Sequence, residues 1–596
     1  MKSKKNARNC ESEKHDQGNS VLAIRGFHLI LSIKAFKAFL PSRLHIIFLK
    51  ALGCFLSSRL VYTTLTLALI GAALFFRFEL PQQPFIDGDV GGYLLPALLQ
   101  LTHGNFQHLG GRSFVYPGFI YLILLVFKDF RAITLIQHLM GVASGGVLLA
   151  CWNCARTLMR DQIIPIGIYR LAGLPVAALY LFNTTAVRFE HSVRPEAIFP
   201  LFVGLNMLFN IQYIRHRYLE VDYRACFLYG STNLFNASLL FFLKPSFYLG
   251  VVFSTLPIWV SLFDQKESFN RKFAMMAISV LCIALFLFLP EKSFNHRDDL
   301  GRMFLPTTLF VVHADIINDQ ISTDLRDGAK TPYPRKLLEQ TGALLTREIE
   351  LSKRTGRYTS LGFDPDYLMY EDSFAQKFGT LLGPQETREN KIRFYYYYFF
   401  RAWTYQPCRM LRKVLRQISI LYNNIGKASP YKRDVELVLG QNYLTNCAIL
   451  DSDRILSRIH YAPLETFISK SKELKSAEPR LLQPRLVSWM NAALGRTFSL
   501  SILLTFVTLV VSLKYSFLRY KDGFFAATVM LLYTYSFANS LGIAIIHSLD
   551  IARFLTNQLI FCLLPQCMTM FLTAEILMHW SQYQRWREAT PRGGEV

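Results

Sequence analysis

Asp87 and Asp89 stand two residues apart in "FIDGDVGGYLLPALLQLTHGNFQH", residues 85–108, directly after a long apolar run. Two carboxylates at that spacing can take a proton from a hydroxyl or share a divalent cation. The same stretch holds Tyr93, His103 and His108, with Arg112 just beyond it. Farther along, "NTTAVRFEHSVRPEA" supplies Arg188, Glu190, His191, Arg194 and Glu196, "FLKPSF" supplies Lys244, and "HSLDIARF" supplies His547, Asp550 and Arg553. Arginine and lysine bind phosphate oxygens through charge-assisted hydrogen bonds and stabilise a phosphate leaving group as its charge grows. A carboxylate among such cations stays ionised at neutral pH and can accept the proton of an attacking hydroxyl. Together these residue types suit transfer from a lipid phosphate.

Each residue also has a plainer reading. Arg188 and His191 could anchor helix ends at lipid headgroups, and Lys244 and Arg553 could snorkel to an interface. What favours a site is convergence, because ionisable groups at membrane depth are costly and these come from distant parts of the chain.

The elements that must position them are apolar. The chain has 596 residues, is 52% hydrophobic with 49 Phe and 29 Tyr, and has a mean hydropathy of +0.24. A soluble enzyme of this length is excluded by that clustering of apolar residues, and an all-α polytopic membrane protein is implied. Net charge is +23. Much of it lies beside apolar runs, where it orients helices and meets anionic lipid, so no nucleic-acid partner is expected.

Ten runs approach or exceed the length that crosses a membrane. They are Leu60 to Phe78, Ala132 to Trp152, Ile163 to Phe182, Ala197 to Ile214, Ala225 to Leu243, Ser246 to Phe263, Phe273 to Pro290, Phe498 to Leu513, Phe524 to Ile546 and Ile551 to His579. A further run, Ser113 to Phe127, is short and carries Pro117 and Gly118. If it crossed, the basic connections at 156–160, 215–224, 266–272 and 514–521 and the tail "RWR" would all fall on the outer side, against the positive-inside rule. Read as an in-plane helix of the first outer loop, it leaves about ten spans with both termini cytoplasmic.

The expected organisation is therefore a basic cytoplasmic extension with an amphipathic helix (1–58), a seven-span module with a first outer loop at 80–130 (59–290), an extra-cytoplasmic region between spans seven and eight (291–496), three C-terminal spans (497–580) and a cytoplasmic tail (581–596). Within the large region, Phe394 to Ile418 joins an aromatic belt to a basic amphipathic stretch, expected on the membrane surface; the alternative is an aromatic-rich core helix. Cys408 and Cys447 in that region could pair, whereas "CWNC" at 151–154 lacks a second pair for a metal. Asn183 begins a glycosylation sequon, read as chance because it lies so near the membrane. The compact loops point to a bacterial inner membrane.

These motifs, in order and on one side, resemble the GT-C class of integral-membrane glycosyltransferases, which includes protein O-mannosyltransferases and aminoarabinose transferases. The resemblance rests on "DVGGY", the Pro-bearing "VYPGFIYLILL", "RPEAIFPLF", "FLKPS" and the late "ARF". It covers the first 290 residues and the last hundred. It implies a polyprenyl-phosphate sugar donor entering from the bilayer, a glycan, lipid or protein acceptor, and inversion by direct displacement. Its first-loop acid is the general base, which falls on Asp89 by its spacing to Tyr93, with Asp87 as runner-up. Arg194, Lys244 and Arg553 are then the expected donor-phosphate ligands, and Tyr93, Arg112, His103, His108, Glu196, Arg188, His191 and His547 the expected substrate contacts. Two features depart from the pattern: "DGD" replaces an adjacent Asp-Glu pair, and "YPGF" replaces Pro-Pro-Leu. No cofactor is required with a monophosphate donor; a divalent metal on Asp87 and Asp89 is the alternative for a diphosphate. A transporter or flippase of a lipid-linked sugar is the competing function, disfavoured by the lack of internal repeats.

Overall fold

The computed structural model describes residues 59–589 except 87, 107–111, 160–161, 266–267, 295–298, 371–372, 383–387, 423–430, 432–435, 453–458, 515–522, 550–553 and 555–557. The expected extension 1–58, Asp87, His108, Asp550 and Arg553 thus lie outside the described residues. The chain divides into two compact units, residues 1–65 with 165–171 and residues 66–164 with 172–596. Among the described residues the first unit holds only the opening turns of two helices, and all contacts below belong to the second.

The structure is nearly all-α. The first half holds α1 (Arg59–Phe78), α2 (Val90–His103), α3 (Val115–Phe127), α4 (Arg131–Ala155), α5 (Ile166–Leu181), α6 (Thr184–His191), α7 (Phe199–Ile214), α8 (Tyr223–Leu243), α9 (Tyr248–Ser254), α10 (Leu256–Leu262), α11 (Phe269–Ile283) and α12 (Leu289–Phe294). Among the described residues, seven helices are long and apolar enough to cross a membrane, or nine if two bent pairs each count as one. The pairs are α5 with α6, bent by 52°, and the segment Pro245–Ser254 with α10, bent by 44°. At the first bend Asn183 is buried and its side chain accepts from Thr185 N at 3.0 Å and Ala186 N at 3.1 Å. That cap satisfies two opening amides of α6, which accounts for the asparagine without glycosylation. The run Ala197 to Ile214 forms α7, whose 16 residues rise only about 24 Å; a π-helical turn, Arg215–Glu220, continues it. The doubtful run forms α3, whose 13 residues rise about 20 Å, short of the ~30 Å apolar thickness of a bilayer.

Buried amides tie the apolar helices together. Asn206 Nδ2 donates to Asn233 Oδ1 at 2.7 Å, and Asn210 Nδ2 donates to the Tyr535 hydroxyl at 2.5 Å. Between apolar surfaces such pairs fix which helix faces meet.

The polar region forms two parts. The first comprises α13 (Asp299–Val312), α14 (Ala314–Arg326), α15 (Arg335–Ser352), α16 (Pro365–Tyr370), α17 (Phe374–Leu381), α18 (Arg388–Tyr405) and α19 (Pro407–Tyr422). Its core gathers Phe310, Leu345, Phe374, Phe378, Phe394, Tyr395 and Tyr398. The aromatic half of the Phe394 to Ile418 run is thus α18, a core helix rather than a surface belt, because one face of its aromatic cluster is buried against α13 to α17. A break at Gln406 and Pro407 starts α19, which buries Met410, Val414 and Gln417 and exposes Leu411, Leu415 and three arginines.

The second part comprises β1 (Glu436–Val438), α20 (Gly440–Ser452), α21 (Ala462–Ala477) and β2 (Arg480–Leu482), with β1 and β2 antiparallel. It packs on the loop after α1. Leu450, Leu464 and Phe467 join the core formed by α2, α3 and the start of α4. Asn446 accepts from Ile86 N at 2.7 Å and donates to Pro84 O at 3.2 Å, Tyr443 donates to Gln83 O at 2.9 Å, and Gln83 donates to Phe467 O at 2.9 Å. The expected Cys408–Cys447 pairing is not formed: both thiols are free, one exposed and the other buried. The chain ends with α22 (Arg485–Lys514), α23 (Gly523–Ile546) and α24 (Leu559–Ala589).

Candidate functional site

The backbone first brings two sequence motifs together. Phe85 N donates to His191 O at 2.9 Å and Val193 N donates to Phe85 O at 3.0 Å, a parallel bridge between the first loop and the segment after α6. Asp89 and Arg194 follow these strands by a few residues each, so the bridge sets them side by side.

Asp89 occupies the N-cap of α2, yet its side chain makes no cap hydrogen bond. Aspartate at that position ordinarily accepts from a backbone amide of the first turn. Its carboxylate instead lies between two guanidiniums: Oδ1 accepts from Arg112 Nη2 at 3.0 Å, and Oδ2 pairs with Arg194 Nη2 at 3.1 Å. The three side chains keep 23%, 29% and 12% of their surface exposed, so the cluster is partly dry but reachable.

Around this triplet the expected contacts fall into place unevenly. The Arg112 guanidinium lies over the Tyr93 ring at 5.1 Å and the Phe304 ring at 5.6 Å. Burial pushes the Tyr93 hydroxyl well above the ordinary tyrosine range; Arg112 opposes this, and Glu196 and Asp89 reinforce it. Tyr93 therefore stays a hydrogen-bond donor at any physiological pH. Burial disfavours the charge of Arg112, but Tyr93 and Asp89 beside it outweigh that and raise its pKa. Glu196 and Lys244 form a buried pair at 3.4 Å, and the Lys244 ammonium lies over Phe199 at 5.6 Å and Phe554 at 5.4 Å. A cation held against two ring faces retains its charge with less water around it.

Four expected contacts sit elsewhere. His103 is exposed at the end of α2, with its Nδ1 at 2.7 Å from the Thr102 hydroxyl, and Arg188 is exposed. His191 is fully buried, its Nε2 at 3.2 Å from His138 Nε2. His547 faces α16, with Nε2 3.8 Å from Asp366 and its ring 5.5 Å from that of Phe554.

His191 belongs to a buried network beneath the site. Arg77 grips Glu190 through Nε at 2.7 Å and Nη2 at 2.8 Å, and His138 Nδ1 lies 2.7 Å from the same carboxylate. Gln137 donates to Glu190 O and Ser192 O and accepts from the Tyr116 hydroxyl at 2.7 Å. Gly141 faces this carboxylate, and a methyl group there would occupy the space of Glu190. The network fixes the chain just before Arg194.

Sequence reasoning missed Arg77, His138 and Gln137, whose signal was a polar residue alone in an apolar run. It also missed Phe304, which gave no signal. Among the described residues no three His, Cys, Asp or Glu side chains form a metal-binding group. Both oxygens of Asp89 face guanidiniums, and Asp87, the other half of the expected metal pair, lies outside the described residues. No protein-family model, curated protein or solved structure matches the chain.

Proposed function

We propose that the protein is a multi-pass membrane glycosyltransferase that moves a sugar from a polyprenyl-phosphate donor to an acceptor hydroxyl at the outer face of the membrane. The observation that carries the reading is Asp89, a helix-capping residue whose carboxylate is held between Arg112 and Arg194 instead of capping. The GT-C resemblance and the nearby Lys244 support it. In this reading ten spans place residues 291–496 outside and both termini in the cytoplasm of a bacterial cell.

The donor phosphate binds Arg194 and Lys244, with Arg553 as a further ligand. Its arrival competes with Asp89 for the Arg194 guanidinium, so donor binding and release of the base are one event. Asp89 then takes the proton of the acceptor hydroxyl while that oxygen attacks the anomeric carbon from the face opposite the phosphate. The bond between that carbon and the phosphate oxygen breaks, the configuration inverts, and the polyprenyl phosphate leaves with its new negative charge matched by the cations. Tyr93, kept protonated, donates a hydrogen bond to the substrates.

Purified protein supplied with a radiolabelled polyprenyl-phosphate sugar tests this. Asp89→Asn keeps the shape and removes the base, so kcat falls about 10²- to 10⁴-fold while donor binding persists. Unchanged turnover in that variant sinks the assignment. Movement of the labelled lipid between leaflets without transfer would favour the flippase reading.

A further inference from the structure

The outer helical layer contains a cavity that sugar transfer at Asp89 does not use. It lies between α14 and the junction of α18 with α19 as an open recess of about 490 Å³. That volume is within the range of small-ligand sites.

Its wall is a continuous polar chain drawn from these elements. Arg401 holds Asp324 through Nε and Nη2, both at 2.7 Å. Gln320 donates to Asp324 at 2.8 Å, Gln406 donates to Gln320 at 3.0 Å, and Arg409 donates to Gln406 at 2.9 Å while pairing with Asp319 at 2.5 Å. Beside this chain stands Tyr405, 62% exposed, with the Arg401 guanidinium 4.5 Å from its ring centre. An aromatic ring left that exposed in an otherwise polar recess is poor packing and a good platform.

The chemistry narrows the ligand. A sugar presents hydroxyls that donate and accept at once, and a ring face of C–H bonds. Carboxylates, amides and guanidiniums side by side match adjacent hydroxyls, and the tyrosine ring matches the C–H face. Asp319, Asp324 and Asp327 balance Arg326, Arg401 and Arg409 in the lining, so an acidic polymer gains no net attraction. The same helical layer supplies Phe304 to Arg112, which makes it a border of the Asp89 site.

We propose that this cavity binds a neutral glycan chain, the distal part of the acceptor. The acceptor role rests on the glycosyltransferase reading; the glycan binding does not.

The test uses the full-length protein in nanodiscs, free of sugar-based detergent, titrated calorimetrically with linear neutral tetrasaccharides of mannose, glucose and galactose and with tetragalacturonate. At least one neutral tetrasaccharide binds, and Tyr405→Ala weakens it about tenfold or more by removing the stacking face. Tyr405→Trp restores it. Because Tyr405 is exposed, its truncation leaves the melting temperature unchanged, which excludes misfolding as the cause. Asp89→Asn binds the same glycan as the unaltered protein does; absence of transfer by the unaltered protein itself, with glycan binding intact, would refute the transferase reading and leave this site standing. The proposal is overturned if no neutral tetrasaccharide binds, if Tyr405→Ala binds equally well, or if tetragalacturonate binds best.

Discussion

Asp89 and Glu190 are the two carboxylates around which the candidate site is built, and they do opposite things. Asp89 keeps some contact with solvent and is shared by two arginines, so a competing anion can draw one of them away. Glu190 is sealed, with Arg77 wholly buried against it. Removing one partner of such a pair leaves an uncompensated charge, at a cost of about 3–5 kcal/mol. Glu190→Ala is therefore expected to lower the thermal midpoint in detergent sharply, and Glu190→Gln less so; equal midpoints for Glu190→Ala and the unaltered protein would show the pair to be idle. At this scale the sequence was partly legible. Asp89, Arg194, Lys244 and Glu196 could be read because acids and cations beside apolar runs are costly without a purpose. Arg77 and His138 carried the same signal, but their partner lies more than fifty residues away and spacing does not reveal it. His191, read as a substrate contact, turned out to share their buried network because its neighbour Glu190 is the residue they hold.

Helices were legible wherever an apolar run exceeded the length of a span, since such a run has few other ways to satisfy its backbone. The bends were not: the 52° turn between α5 and α6 depends on the cap at Asn183, a residue first read only as a sequon. Least legible was the region 291–496, where amphipathic patches gave helices but no docking partners. Its second part fastens the loop that carries Asp89. Asn446→Ala removes both hydrogen bonds to Pro84 and Ile86, leaving buried groups unsatisfied at about 1–3 kcal/mol. Amide exchange across residues 80–93 should then quicken by about tenfold or more, with transfer slowed in parallel. Unaltered exchange would mean that the cores of α2, α20 and α21 hold the loop without that side chain.

For the whole molecule, the reading of sidedness depends on α3 staying on one side of the membrane. Its length agrees, and the exposed Cys408 at the start of α19 offers a direct check. A membrane-impermeant maleimide applied to intact inner-membrane spheroplasts should modify Cys408, and Cys408→Ser should lose that label. Modification only after permeabilisation would reverse the topology and with it the outer location of the transfer.

The fastening of Pro84 and Ile86 by Asn446 also orders the life history of the chain. Those partners are separated by 360 positions. Ribosomes add about 5–20 residues per second, so roughly 20–70 s pass between emergence of the loop and arrival of its fastener. During that interval Arg194 and Lys244 emerge while the loop that carries Asp89 is still unfastened. On the proposed reading, competence would be acquired late, and a chain halted midway would be inert.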